Sequence, residues 1–323
     1  MKKIILSIVA TTLAFSSQAQ VSVTQGTLGD NNQKSNSITV NQKSDIINYH
    51  IQVYSPNSTA TVNQAYDASA AGNWVGAVQN GSVNGATITQ AGLNNNIYFN
   101  QLNSVTGEVA GNGNQASISQ LGKSNEQRIT QITSVSAGGF GGSIISTSQA
   151  GELNKVFAVQ IGHGVGHSAS VTQGEESLES EITFEQAGSN NNLTIDQVSG
   201  TSNRVNVSQN NASSDNAGNT LTVTQSGDGE NSAVFGQNGS NNVAAITQNG
   251  SKNEISYLSR QTGSNNTASL TQDGVGRFML IIQEGNLNSI TAIQSHSTST
   301  GLVIESTQRG NGNSAIINQG AAF

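Results

Sequence analysis

Apolar and amide residues alternate along most of this chain with a period of two. In Asn242-Val243-Ala244-Ala245-Ile246-Thr247-Gln248 an extended backbone sends Asn242, Ala244, Ile246 and Gln248 to one face, and Val243, Ala245 and Thr247 to the other. The same alternation puts Val21, Val23 and Gln25 on one face, and likewise Ile38, Val40 and Gln42. The pattern predicts short strands, each closed by a glutamine and followed by a segment rich in Gly and Asn. Those residues reach positive φ at little cost, and Asn238-Gly239 and Asn249-Gly250 favour a primed two-residue turn.

One phrase, Gln-x-Gly-x-x-Asn-x-(apolar)-x-x-x-Gln, organises the chain. It runs from Gln237 through Gly239, Asn242 and Ala244 to Gln248, and a looser copy carries Gly250 and Asn253 to Gln261. It returns at Gln261, Gly263, Asn266, Ala268 and Gln272, loosens past Gly274, and returns at Gln283, Gly285, Asn288, Ile290 and Gln294. Earlier copies are Gln79, Gly81, Asn84, Ala86, Gln90 and then Gly92, Asn95, Ile97, Gln101. Further copies lie at Gln120, Gly122, Asn125, Gln131, at Gln149, Gly151, Asn154, Val156, Gln160, and at Gln186, Gly188, Asn191, Leu193, Gln197. The last is Gln308, Gly310, Asn313, Ala315, Gln319. A repeat this strict marks one structural unit stacked on copies of itself.

A lone hairpin of this kind buries a few small side chains and does not fold in water. Stacking removes the difficulty. If two phrases make a rung, inward Gln and Asn of each rung lie over their counterparts, and identical amides bond along the stack. Anchor glutamines, among them Gln25, Gln42, Gln52, Gln64, Gln173, Gln209 and Gln225, recur about every 13 residues. The expected fold is all-β, a β-solenoid of about twelve two-strand rungs with stacked Gln/Asn ladders, ~55–60 Å long. The glutamines and asparagines of the phrases are its ladder residues and the glycines its turns.

The phrase resembles the curlin repeat, the unit of the curli fibre subunits that form bacterial extracellular functional amyloid. The family pattern Ser-x5-Gln-x-Gly-x-x-Asn-x-Ala-x3-Gln is met from its first Gln onward at Gln237–Gln248, Gln79–Gln90 and Gln308–Gln319. The leading Ser is replaced by Asn231 before Gln237, while Ser143 and Ser180 stand six residues before Gln149 and Gln186. The resemblance covers most of the chain beyond about Gln79. It implies a long variant of a fibre subunit for biofilm matrix and surface adhesion. It also implies a partner acting as nucleator or major subunit, and export through a curli-type outer-membrane channel.

Composition narrows the rest. With 34% apolar, 4% aromatic and 10% charged residues, neither a large conventional core nor a charge-solvated disordered chain fits. The absence of Cys removes disulfides and thiolate sites. Lys2 and Lys3, an apolar run from Ile4 to Phe15, and small Ser17 and Ala19 read as a signal peptide over 1–19, cleaved before Gln20. Residues 20–323 are the repeat solenoid, irregular over 20–78 and clearer over 79–323. Losing the two lysines takes the formal charge from −7 to −9, so nucleic acid is not an expected partner. Repeats run from near the cleavage site to Gln319, so no capping unit is expected. The main expected partner is a further copy of the chain, joined head to tail.

No cofactor, metal or catalytic group is expected. His163 and His167 are four apart, but glycines between them argue against a helix, so they read as a loop pair. Glu175, Glu176, Glu179, Glu181 and Glu185 read as a solvated face rather than a calcium loop. Trp74 is the lone tryptophan and by itself makes no aromatic platform for sugars. Outward threonines such as Thr87, Thr89, Thr222, Thr224, Thr267 and Thr271 raise an ice-binding array as an alternative. Equivalent positions filled by Glu185, Asp196, Asn100, Arg260 and Glu254 break its regularity. A monomeric solenoid serving as a surface adhesin is the other alternative.

Overall fold

A computed structural model describes residues 20–25, 37–42, 48–54, 59–64, 73–80, 84–105, 113–135, 142–163, 166–211, 217–295 and 301–320. Every regular element among them is a β-strand, and consecutive strands alternate between two sheets, except that Glu254–Ile255 and Arg260–Ser264 lie in the same one. The first sheet starts with Gln20–Gln25, Asn48–Tyr54 and Trp74–Asn80 and takes every second strand as far as Val303–Arg309. The second runs from Ser37–Gln42 to Ser314–Gly320. It holds 12 strands and the first holds 13, of which Glu254–Ile255 and Arg260–Ser264 share one level. The described residues therefore form twelve two-strand rungs.

Pairing within each sheet is parallel, as between Val243–Ser251 and Thr267–Val275. This corrects the hairpin expected from the Asn-Gly dipeptides. A primed turn needs positive φ at both central residues, whereas in this arc Gly239 (φ 112°) and Asn241 (φ 55°) are left-handed. The two left-handed positions are separated by one residue, so the chain crosses the core into the opposite sheet. Each strand then pairs with the strand two further on. A strand buried against its opposite sheet on one face and solvated on the other keeps a clean alternation, and Thr267–Val275 opens with the exposure pattern out, in, out, in.

Register sets like on like. Gln237 pairs with Gln261, Gln248 with Gln272, and Gly263 with Gly285. The inward apolar rows between the amides include Ile97, Ile182, Val205, Ile246 and Ile281, all at 1% exposure or less. The inward face was expected to be amide plus small apolar side chains. Phe99, Phe184 and Phe235 are also buried in it, so the core is wider in places than the strict repeats imply.

Two departures interrupt the regularity. Between Asn253 and Gln261 the chain carries two more residues than between Asn242 and Gln248. They are extruded as a turn that exposes Tyr257 and Leu258, while Ile255 and Gln261 stay in register with Met279 and Gln283. In the first sheet Gln52 is not a ladder position: Val53 is the partner of both Gln25 and Gln79. The second sheet keeps its glutamines aligned from Gln42 through Gln64 to Gln90.

Candidate functional site

The candidate site is the amide interior itself. In the first sheet Nε2 of each glutamine donates to Oε1 of the next, from Gln79 through Gln101, Gln131, Gln160 and Gln186 to Gln209. The ladder continues through Gln237, Gln261 and Gln283 to Gln308, with every donor to acceptor distance in it 2.8 or 2.9 Å. In the second sheet the same bond joins Gln90, Gln120, Gln149, Gln173, Gln197 and Gln225. It goes on through Gln248, Gln272 and Gln294 to Gln319.

A primary amide has two N–H donors, and the second spans the core. Gln237 Nε2 also donates to the backbone carbonyl of Thr220 in the opposite sheet at 3.0 Å, and Gln248 Nε2 to that of Ser232 at 2.9 Å. Glutamines with both bonds thus tie their own sheet lengthwise and the two sheets together. Burying an amide is costly only when its hydrogen bonds are lost, and here stacking supplies them.

The asparagines staple the arcs. Asn242 Oδ1 accepts the backbone N–H of Asn266 at 3.1 Å, while its Nδ2 donates to the carbonyls of Asn238, at 3.4 Å, and Gly263, at 2.9 Å. On this side of the solenoid the column contains Asn84, Asn114, Asn191, Asn219, Asn242, Asn266, Asn288 and Asn313. On the other it contains Asn73, Asn95, Asn125 and Asn154, then Asn203, Asn231 and Asn253. Gly92, Gly122, Gly151, Gly188, Gly239, Gly250, Gly263, Gly274, Gly285 and Gly310 are left-handed in these arcs. Gly81 lies outside the described residues. At Gly239 an added Cβ would stand 2.0 Å from the carbonyl oxygen of Gly263 in the next rung, so glycine is required there by the close approach as well as by φ.

Four buried positions in the asparagine columns hold other residues, and the repeat pattern did not single them out as ladder members. Ser180 Oγ accepts the N–H of Asn203, and Ser143 Oγ that of His167. The leading Ser of the family pattern and the Asn231 that replaces it therefore occupy the same place and accept the same kind of bond. His167 is buried rather than part of a surface loop: its Nδ1 accepts the N–H of Asn191 at 3.2 Å, and Nε2 lies 3.0 Å from the carbonyl of Ile161. The imidazole reproduces both functions of an asparagine amide. Arg277 is buried in the last of these places, where burial pulls its guanidinium below the ordinary value and the Asp273 carboxylate partly offsets the effect.

Outside the ladders, Glu175, Glu176, Glu179 and Glu185 are exposed. Among the described residues no group of three or more His, Asp or Glu is placed to hold a metal. Trp74 does not stand alone: its ring lies 4.4 Å from that of Tyr98, and the Arg128 guanidinium sits 5.1 Å from Tyr98 and 5.7 Å from Phe157. Strand register brought together rings that are 24 and 59 residues apart in sequence, which no local pattern signals.

These features define a parallel two-sheet β-solenoid whose interior is stapled by amide ladders. The family model for the curlin associated repeat matches residues 217–250 and again residues 241–274. Residues 217–274 thus carry two overlapping curlin associated repeats, on strands that contribute to both amide ladders. No curated protein matches it.

Proposed function

We propose that this chain is a secreted structural subunit of an extracellular curli-like amyloid fibre, built by head-to-tail stacking of solenoids and serving cell adhesion and biofilm matrix. One observation carries the proposal: each rung templates the next by both backbone and side-chain amides, and the last described strand, Ser314–Gly320, is paired on one side. Ala315 and Ile317 there are partly exposed, although their in-register partners Ile290 and Ala292 are buried. A rung from a second copy would cover them and extend both glutamine ladders, a contact that repeats without closing. The signal peptide proposed at 1–19 lies outside the described residues. Export through a curli-type channel and a nucleator or major-subunit partner rest on the family resemblance. The role is structural rather than enzymatic.

The test is assembly of the purified chain lacking residues 1–19. We expect fibres after a lag that preformed seeds shorten, and a meridional reflection at ~4.8 Å. Protein that stays monomeric at high concentration and ignores seeds would overturn the fibre in favour of a monomeric adhesin. Suppression of ice recrystallisation by that monomer would favour the ice-binding alternative.

A further inference from the structure

The first-sheet glutamine ladder has a polarity and two open ends. Each Nε2 donates to the rung after it, so the run that begins at Gln79 finishes at Gln308. Gln308 Nε2 gives one N–H to the carbonyl of Ser289 at 2.9 Å, which leaves the second for a following rung. The other end lies inside the chain. Gln79 is 1% exposed and its Oε1 has no hydrogen-bond partner, because the strand paired with it, Asn48–Tyr54, sets Val53 where a donor glutamine belongs. The corresponding oxygens of Gln101 and Gln131 accept from the rung before. Gln79 Oε1 is therefore reached along the stack axis, once the strands that precede Trp74 move away.

We propose that the rung of Trp74–Asn80 and Gly85–Gln90 receives the C-terminal rung of a second copy, the four strands from Gln20–Gln25 to Thr59–Gln64 being displaced as a detachable cap. This rests on the head-to-tail reading above and names the rung at which the contact forms. Spacing selects it. Gln308 and Gln319 are 11 residues apart, as are Gln79 and Gln90, so one offset lays Gln308 on Gln79, Gly310 on Gly81, Asn313 on Asn84 and Gln319 on Gln90. At the first rung Gln25 and Gln42 are 17 apart, so the arc positions do not coincide. The apolar rows match as well. Ala315 falls on Ala86 in place of Ala60, and Ile317 on Ile88 in place of Val62, which covers the two partly buried side chains of the last strand. In the first sheet Ile304 falls on Val75 and Ser306 on Ala77, whose column is buried. Like charges do not meet, since Glu305 falls on Gly76 and Arg309 on Asn80. Backbone pairing lost with the cap is regained from the second copy. The gain is the Gln308 to Gln79 bond, which satisfies a buried acceptor.

The chain has no cysteine, so single introduced thiols report contacts between copies. Thr307→Cys comes into register with Val78→Cys at the proposed rung, and with Thr24→Cys where a second copy adds to the first strand instead. In-register neighbours ~4.8 Å apart lie within disulfide reach, and Thr307 and Val78 are both outside the buried rows. Chains lacking residues 1–19, each with one substitution, are mixed in pairs, assembled and mildly oxidised, and the mixed disulfide is identified by peptide mass. We expect fibres that give the disulfide between positions 307 and 78 and not that between 307 and 24. Val53→Gln, which gives the cap a donor for Gln79, should cut the yield of the 307 to 78 disulfide by roughly fivefold, the worth of one hydrogen bond. Fibres without the 307 to 78 disulfide, or a yield that Val53→Gln leaves unchanged, overturn the detachable cap and leave head-to-tail stacking standing. Failure of the unsubstituted chain to form fibres overturns both.

Discussion

Val53 is the in-register strand partner of Gln79, and the Oε1 of Gln79 is buried without a hydrogen-bond partner. In each later rung of that sheet the corresponding oxygen accepts from the glutamine before it, as Gln101 does from Gln79. The first-sheet ladder therefore starts at Gln79, one register position short of a glutamine.

Val53→Gln should supply the missing donor. The expected gain is about 1 kcal/mol, the net worth of one intramolecular hydrogen bond, read as a raised midpoint in chemical denaturation. A midpoint that falls would mean that the oxygen is satisfied in some other way.

Gln237→Leu should act in the opposite direction. It leaves the Nε2 of Gln209 and the Oε1 of Gln261 without their ladder partners, and each orphaned group costs about 1–3 kcal/mol. Thr247→Ala, on the exposed face, should change stability by no more than ~0.5 kcal/mol. Equal losses for the two would contradict the assignment of faces.

Leu287 stands in the arc with φ 59° and is 64% exposed. A left-handed conformation costs a non-glycine residue about 1–2 kcal/mol, and this side chain recovers little of that by burial. Leu287→Gly should therefore stabilise the solenoid by roughly 1 kcal/mol, less the added freedom of the unfolded chain. Gly239→Ala should destabilise it through the clash with the Gly263 carbonyl. Thermal melts of the two variants should move apart.

Glu284 accepts from Arg260 at 2.6 Å and from Arg309 at 3.1 Å, bridging two neighbouring rungs. The hydrogen bond from Arg260 is the chief reason why its carboxyl lies below the ordinary carboxylate value, with Arg309 adding to the effect. A depressed folded pKa means that the stabilisation is full above the unfolded pKa and is lost as pH falls through the folded one. The stability difference between the native chain and Glu284→Gln should thus be present at neutral pH and disappear in acid. Salt should shrink it, since the cluster is solvent-accessible. A difference that persists in strong acid would show that packing, not charge, is responsible.

Much of the solenoid was legible because its repeat is written in residue types with narrow roles. Glutamine followed two residues later by glycine, then by asparagine three further on, leaves few conformations in which both amides are satisfied. The four substituted places were not legible. Ser143, His167, Ser180 and Arg277 share no side-chain chemistry, and only the arc geometry shows that each sits where an asparagine would. Gln52 misled for the converse reason: amide identity suggested a ladder position, and a one-residue difference in register moved it off.

From the chain alone came the strand period, the inward amides, the rung count and the arc glycines, since these depend on local alternation and on conformations few residues tolerate. Tertiary structure decided that the arcs cross between sheets instead of folding back as hairpins. It also placed histidine and arginine in the asparagine columns, and gathered Trp74, Tyr98 and Arg128 on one face. Those outcomes depend on which strands become neighbours two positions apart, a relation set by long-range stacking and absent from any window of the sequence.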